Sequence, residues 1–130
     1  MRIIEQQMLE AISLRRNWRR SNTRVEIVAN GTLAAVYLHE NLIALVHLHT
    51  SVLYLSSAGW RTRTIKSRLN ALLDRYNRSI YQCRGVWYWD TGMEFTDAPL
   101  QSILRDYERN YEGDALSAIQ ENRDKNLFSA

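Results

Sequence analysis

The stretch Gly59-Trp60-Arg61-Thr62-Arg63-Thr64-Ile65-Lys66-Ser67-Arg68 sets a tryptophan and several cations at the start of an apolar-periodic segment. Thr62 or Thr64 can cap a helix there, because a hydroxyl accepts from first-turn N–H groups that lack a partner. Arg61, Arg63 and Lys66 then gather where the helix dipole is already positive, which is unfavourable unless an anion offsets them. Free N–H groups at a helix start also bind phosphate. Trp60 to Lys66 is therefore a candidate anion site. Its occupant would be a nucleic-acid backbone, or Asp or Glu from the chain's own C-terminal part. Arg19, Arg20 and Arg84 would extend the basic patch.

Trp87 and Trp89 alternate with Val86 and Tyr88. Aromatics on a sheet beside cations can stack bases, so Trp87 and Trp89 are candidate stacking residues. Both faces of that strand are aromatic, however, so one set must be core. His47 and His49 share a strand face, with His39 elsewhere. A metal site needs three or four convergent ligands, and no Cys pair, HExxH or carboxylate cluster supports one. Neither metal nor cofactor is expected. Cys83, the sole cysteine, reads as a buried strand residue; a nucleophilic role would need a nearby base. The chain has no GxGxxG, GxxxxGK[ST] or GxSxG motif. A protein without enzymatic activity is expected.

The elements that must position these residues follow from periodicity. Ile4, Met8, Ala11, Ile12 and Trp18 recur near helical spacing, giving a helix from residue 2 to about 16. Arg15, Arg16, Arg19 and Arg20 would complement the dipole at its end. From Thr23 the period becomes two. Strands are expected at Val25–Ile27, Leu33–Leu38, Leu42–Leu48 and Val52–Leu55, the first pair joined by a type I′ turn at Asn30-Gly31. Short connections make this an antiparallel meander. Its third strand is apolar on both sides and so central.

Ile65, Leu69, Leu72, Leu73 and Tyr76 then line one helical face. Lys66 falls on one flank, Arg68 and Arg75 on the other, with Ser67, Asn70 and Asp74 fully outward. A helix reading a groove would hold its cations outward, so this one is mainly a core helix. Two strands follow around Arg84-Gly85, and Met93–Phe95 reads as a short third. A helix starts at Asp97 before Pro99 with Leu100, Ile103, Leu104, Tyr107 and Tyr111 on its apolar face. A polar helix at about 114–124 ends the chain. The fold class is α+β: one antiparallel sheet with helices on one face, a basic core at 1–96 and an acidic helical extension at 97–130, in the same domain or appended.

Composition narrows the function classes. Residues 1–88 carry 13 Lys and Arg against 5 Asp and Glu, and residues 89–130 carry 4 against 9. Such asymmetry favours an anionic partner for the body or a tail that folds back on it. A lone cysteine fits a reducing compartment. The longest apolar run is far short of a membrane span, and the N-terminus turns acidic too early for a signal peptide. A cytoplasmic protein is expected.

The blocks "VYLHENLIAL", "GWRTRTIKSRLNALL" and "IYQCRGVWYW" resemble a family of small proteins encoded in tailed-phage genomes. The first block there often has Gly where Glu40 stands, the second a Thr pair at Thr64-Ile65, and the third an Ile-x-Gln step into an aromatic strand. Lys66-Ser67-Arg68-Leu69-Asn70 is the most specific piece. The resemblance covers about residues 1–95 and leaves out the acidic part. It implies a phage origin and the cytoplasm of an infected bacterial host. It carries no catalytic residues.

The leading expectation is a phage accessory protein that binds nucleic acid through Arg61, Arg63 and Lys66. One alternative is an inhibitor of a host or anti-phage defence protein, acting through Asp106, Glu108, Glu112 and Asp114. Another is a protein that sequesters a small nucleotide ligand in the anion site. Exposed sheet edges leave a homodimer open.

Overall fold

The computed structural model describes residues 1–110 and the strand at 127–128. Helix α1 (Ile3–Ser13) leads into strands β1 (Trp18–Arg20), β2 (Thr23–Val28), β3 (Leu33–Leu38), β4 (Asn41–His47) and β5 (Leu53–Leu55). Helix α2 (Arg63–Asp74), the hairpin β6 (Ile80–Cys83) and β7 (Val86–Trp89), helix α3 (Leu100–Asn110) and β8 (Leu127–Phe128) follow. The main sheet is antiparallel in the order β1-β2-β3-β4-β5-β8, so β4 is interior, as its two-sided apolar pattern requires.

The first helix is shorter than its periodicity suggested. It ends at Ser13, and Trp18–Arg20 is an edge strand paired with β2. Arg19 and Arg20 therefore belong to a strand, and Arg15 and Arg16 follow the C-cap Leu14, outside a last turn that holds no basic residue.

Helices cover both faces of the sheet, not one. Strand alternation explains why. Ala34, Val36 and Leu38 of β3 face one core with Met8 and Ile12 of α1 and Leu69 and Leu72 of α2. Leu33 and Ala35 face a second core with Leu100, Ile103 and Tyr107 of α3. A bulge at Ile43 lets both Ile43 and Ala44 join the first core, because Val36 pairs Ala44 while Tyr37 already pairs Leu42. The start of the acidic segment is thus the second layer of the sheet. Burying a large apolar side chain contributes about 1.5–3 kcal/mol, so α3 covers surface the sheet could not leave wet. The helix expected at about 114–124 lies outside the described residues.

Turn chemistry differs from the expectation at Asn30-Gly31. The β2–β3 loop spans four residues, with Ala29, Asn30 and Gly31 at φ of 52°, 54° and 82°. The two-residue turns with both central φ positive are His39-Glu40 and Arg84-Gly85. Glu40 holds a φ of 65° where glycine would be unstrained. Its carboxylate takes Arg19 at 2.9 Å and also pairs with Arg24, tying β1 and β2 to the β3–β4 turn.

Inside the first layer sits one ion pair that sequence pattern does not reveal. Glu5 of α1 and Arg68 of α2 meet at 2.8 Å, each side chain only 3% exposed. Arg68 Nε also donates to Thr23 Oγ1, and Ser67 Oγ donates to Glu5 at 2.5 Å. Burial alone would push the Glu5 carboxyl up. The bonds from Ser67, the Arg2 N–H and Arg68 outweigh it and hold that carboxyl below its ordinary value.

Candidate functional site

Thr62 caps α2, its Oγ1 accepting from the Ile65 N–H at 3.2 Å. No acidic residue lies in the first turn. Arg63 at that turn is exposed and Lys66 is half-buried. Asn70 fixes the neighbouring hairpin, since its side chain donates to the Ile80 carbonyl and accepts from the Ile80 N–H. From there β6 runs back along α2. Gln82 pairs Trp87, and Arg61 lies over the Trp87 ring at 4.9 Å. The Arg84-Gly85 tip is one pair further on. Arg61, Arg63, Lys66 and Arg84 are thereby gathered at one end of α2.

Arg61 is engaged within the chain. Its Nε donates to Ser57 Oγ at 3.0 Å, and its guanidinium rests on Trp87 and Phe95. Asp97 Oδ1 lies 3.8 Å from Arg61 and accepts from the Ser57 N–H at 2.8 Å. The anion foreseen from the chain's own C-terminal part is Asp97, and Arg61 acts as a strut between that segment and α2.

The stacking expectation reverses face. Trp87 is fully buried and Trp89 is 7% exposed, both packed on Phe95. Their rings are core and cannot meet a base. The outward aromatics are Tyr81 and Tyr88, directly opposite across the hairpin, stacked at 5.6 Å and 25°. Tyr81 is 45% exposed. Period-two alternation shows that β7 has two aromatic faces; only the packing of α2 and Phe95 decides which one is dry.

Trp60 is 61% exposed and lines a cavity of about 330 Å³ with Thr62, Thr64 and His39. His39 also lines a second cavity of about 280 Å³, with Arg19, Arg24 and Glu40. The β3–β4 turn so separates the α2 end from the β1 edge. Arg19 is paired with Glu40, and Arg20 donates to Gln7 at 2.8 Å. They do not join the patch around Arg63.

Cys83 is exposed at the end of β6, not buried. His47 ends β4 and is buried. Its Nδ1 accepts from the N–H groups of His49 and Thr50, and burial, with the nearby His49, holds it below its ordinary pKa. No group of metal-ligating side chains occurs among the described residues. Of the acidic candidates, Asp106 pairs with Arg109 at 2.8 Å and Glu108 is exposed. Glu112 and Asp114 lie outside the described residues.

The family model described as Kyanoviridae Gp96 protein matches residues 1–112. The chain belongs to that family. It is a family of tailed-phage proteins. The match runs through α3, past residue 95, and the burial of Leu100, Ile103 and Tyr107 gives the physical reason. No curated protein and no solved structure matches the chain. No helix among the described residues is long and apolar enough to cross a membrane.

Proposed function

We propose that this phage protein is a non-enzymatic accessory factor that binds nucleic acid in the cytoplasm of the infected host. The contact surface is the outer face of the β6–β7 hairpin and the adjoining start of α2. The observation that carries the reading is the solvent-facing Tyr81–Tyr88 stack beside the Arg84 tip. Every base has a π-face, so aromatic platforms flanked by cations hold single strands with little sequence preference. Arg63, Lys66 and Arg84 supply the phosphate contacts, and Trp60 offers a further ring.

Phosphate contacts release counterions, so affinity falls steeply with salt. Charge reversal at Arg63, Lys66 and Arg84 together is expected to flatten the slope of log affinity against log salt by about 2 on a single-stranded oligonucleotide. Fluorescence anisotropy across a salt series measures it. An unchanged slope in a folded variant would overturn the assignment of these residues.

A further inference from the structure

At the other end of α2 lies a cleft of about 450 Å³ between the end of α1, the end of α2 and the β4–β5 turn. It is larger than the cavities beside Trp60 and Glu40. We propose that this cleft binds a small organic phosphate carrying an aromatic ring, of the nucleoside monophosphate class, at a site separate from the nucleic-acid face. The volume falls within the range of about 300–1,000 Å³ that small-molecule sites occupy.

Two cations, Arg15 and Arg75, line the cleft, and among the described residues no carboxylate does. One Arg15 nitrogen donates to the Leu48 carbonyl at 3.2 Å, which fixes the side chain and leaves its other N–H donors for a ligand. Planar guanidinium forks suit phosphate oxygens. Arg15 also holds a φ of 54°, a strained backbone for a side chain of its size. The remaining wall joins polar Ser13, His47 and Ser51 to an apolar part. Ile12, Val46 and Tyr76 line that part and continue into a narrower pocket toward Leu53 and Leu72. Tyr76 is fixed by its hydroxyl donating to the Ser51 carbonyl at 2.6 Å. An anion alone would leave the apolar part wet, whereas a planar ring would cover it.

The bland alternative is that both arginines merely complement helix C-termini. Those termini are already closed by the backbone: Leu14, Arg15 and Arg16 N–H groups bond α1 carbonyls, and Tyr76 and Arg78 N–H groups bond Leu73. The partial charge left there is smaller than two full cations. Separation from the hairpin tip follows from α2, whose 12 residues span about 18 Å.

Calorimetric titration of the full chain with adenosine 5′-monophosphate tests the proposal, with adenosine and inorganic phosphate as half-ligands. The nucleotide should bind one to one, at least tenfold tighter than either half. Arg75→Gln and Arg15→Gln should each weaken it at least tenfold with Tm unchanged. Should Arg15→Gln fail to fold, Arg75→Lys, which keeps the charge and loses the fork, should still bind several-fold more weakly. Tyr81→Ala with Tyr88→Ala should bind the nucleotide as wild type does. The proposal is overturned if the nucleotide binds no tighter than inorganic phosphate, if Arg75→Gln leaves it unchanged, or if an oligonucleotide displaces it.

Discussion

At the scale of single residues, the molecule depends on two titrating groups held in unfavourable surroundings. Glu5 is buried against Arg68 and kept ionised by hydrogen bonds. Its folded pKa is lowered, so its contribution is full above the unfolded value of about 4.3 and is lost as pH falls through the lower folded value. His47 is also lowered, because burial and the nearby His49 disfavour its charged form. Its contribution is full above the unfolded value of about 6.5 and is lost as pH falls toward its folded value. Unfolding free energy should therefore be flat between about pH 6.5 and 8 and fall in two stages in acid. Urea titrations from pH 3 to 8 measure this. Glu5→Gln strands a buried guanidinium and should cost about 3–5 kcal/mol, while removing the lower stage. A Glu5→Gln protein with an unaltered acid limb would contradict the assignment.

At the scale of elements, much was legible where one element declares itself locally. Leu33–Leu38 is a short apolar run bounded by turns, Arg84-Gly85 carries its own turn geometry, and Ile65 to Leu73 repeats with helical period. Each appears as read. The sheet edge at Trp18–Arg20 was not legible, because three residues carry no period and Trp18 continued the helical pattern of α1. The choice between the faces of β7 was equally hidden, since it depends on α2 and Phe95. Ring placement therefore moved the proposed stacking surface from Trp87 and Trp89 to Tyr81 and Tyr88. The contacts of Arg61 with Asp97 and of Arg68 with Glu5 join residues 36 and 63 apart in sequence, and no local pattern encodes them.

The same scale decides the status of the acidic segment. Leu100, Ile103 and Tyr107 close the second core, and the Tyr107 hydroxyl meets that of Tyr54 at 3.0 Å. A chain ended after residue 96 would expose the Leu33, Leu45 and Tyr54 face. It should lose cooperative unfolding, since three buried side chains at about 1.5–3 kcal/mol each rival the whole stability of a small domain. Thermal unfolding followed by near-ultraviolet circular dichroism would show it. A truncated chain with a sharp transition near that of the full protein would mean that α3 is an appendage. An inhibitor role for the acidic residues is better probed by Glu108→Lys, on an exposed side chain, than by deletion.

At the scale of the whole molecule, the charge asymmetry has two destinations. Part of the acidic excess folds back, with Asp97 on Arg61 and Asp90 on Arg78 at 3.0 Å. Exposed cations frame the two ends of α2: Arg63 and Arg84 with the tyrosine stack at one, Arg15 and Arg75 with a partly apolar cleft at the other. The first end is the basis of the proposed nucleic-acid role. Its most direct test compares wild type with Tyr81→Ala and Tyr88→Ala together in binding a single-stranded oligonucleotide, with Tm measured alongside. Stacking is worth about 1–3 kcal/mol per base, so affinity should fall at least tenfold while Tm stays within a few degrees. Wild-type affinity in the folded double variant, or no binding by the wild type at low salt, would contradict the account.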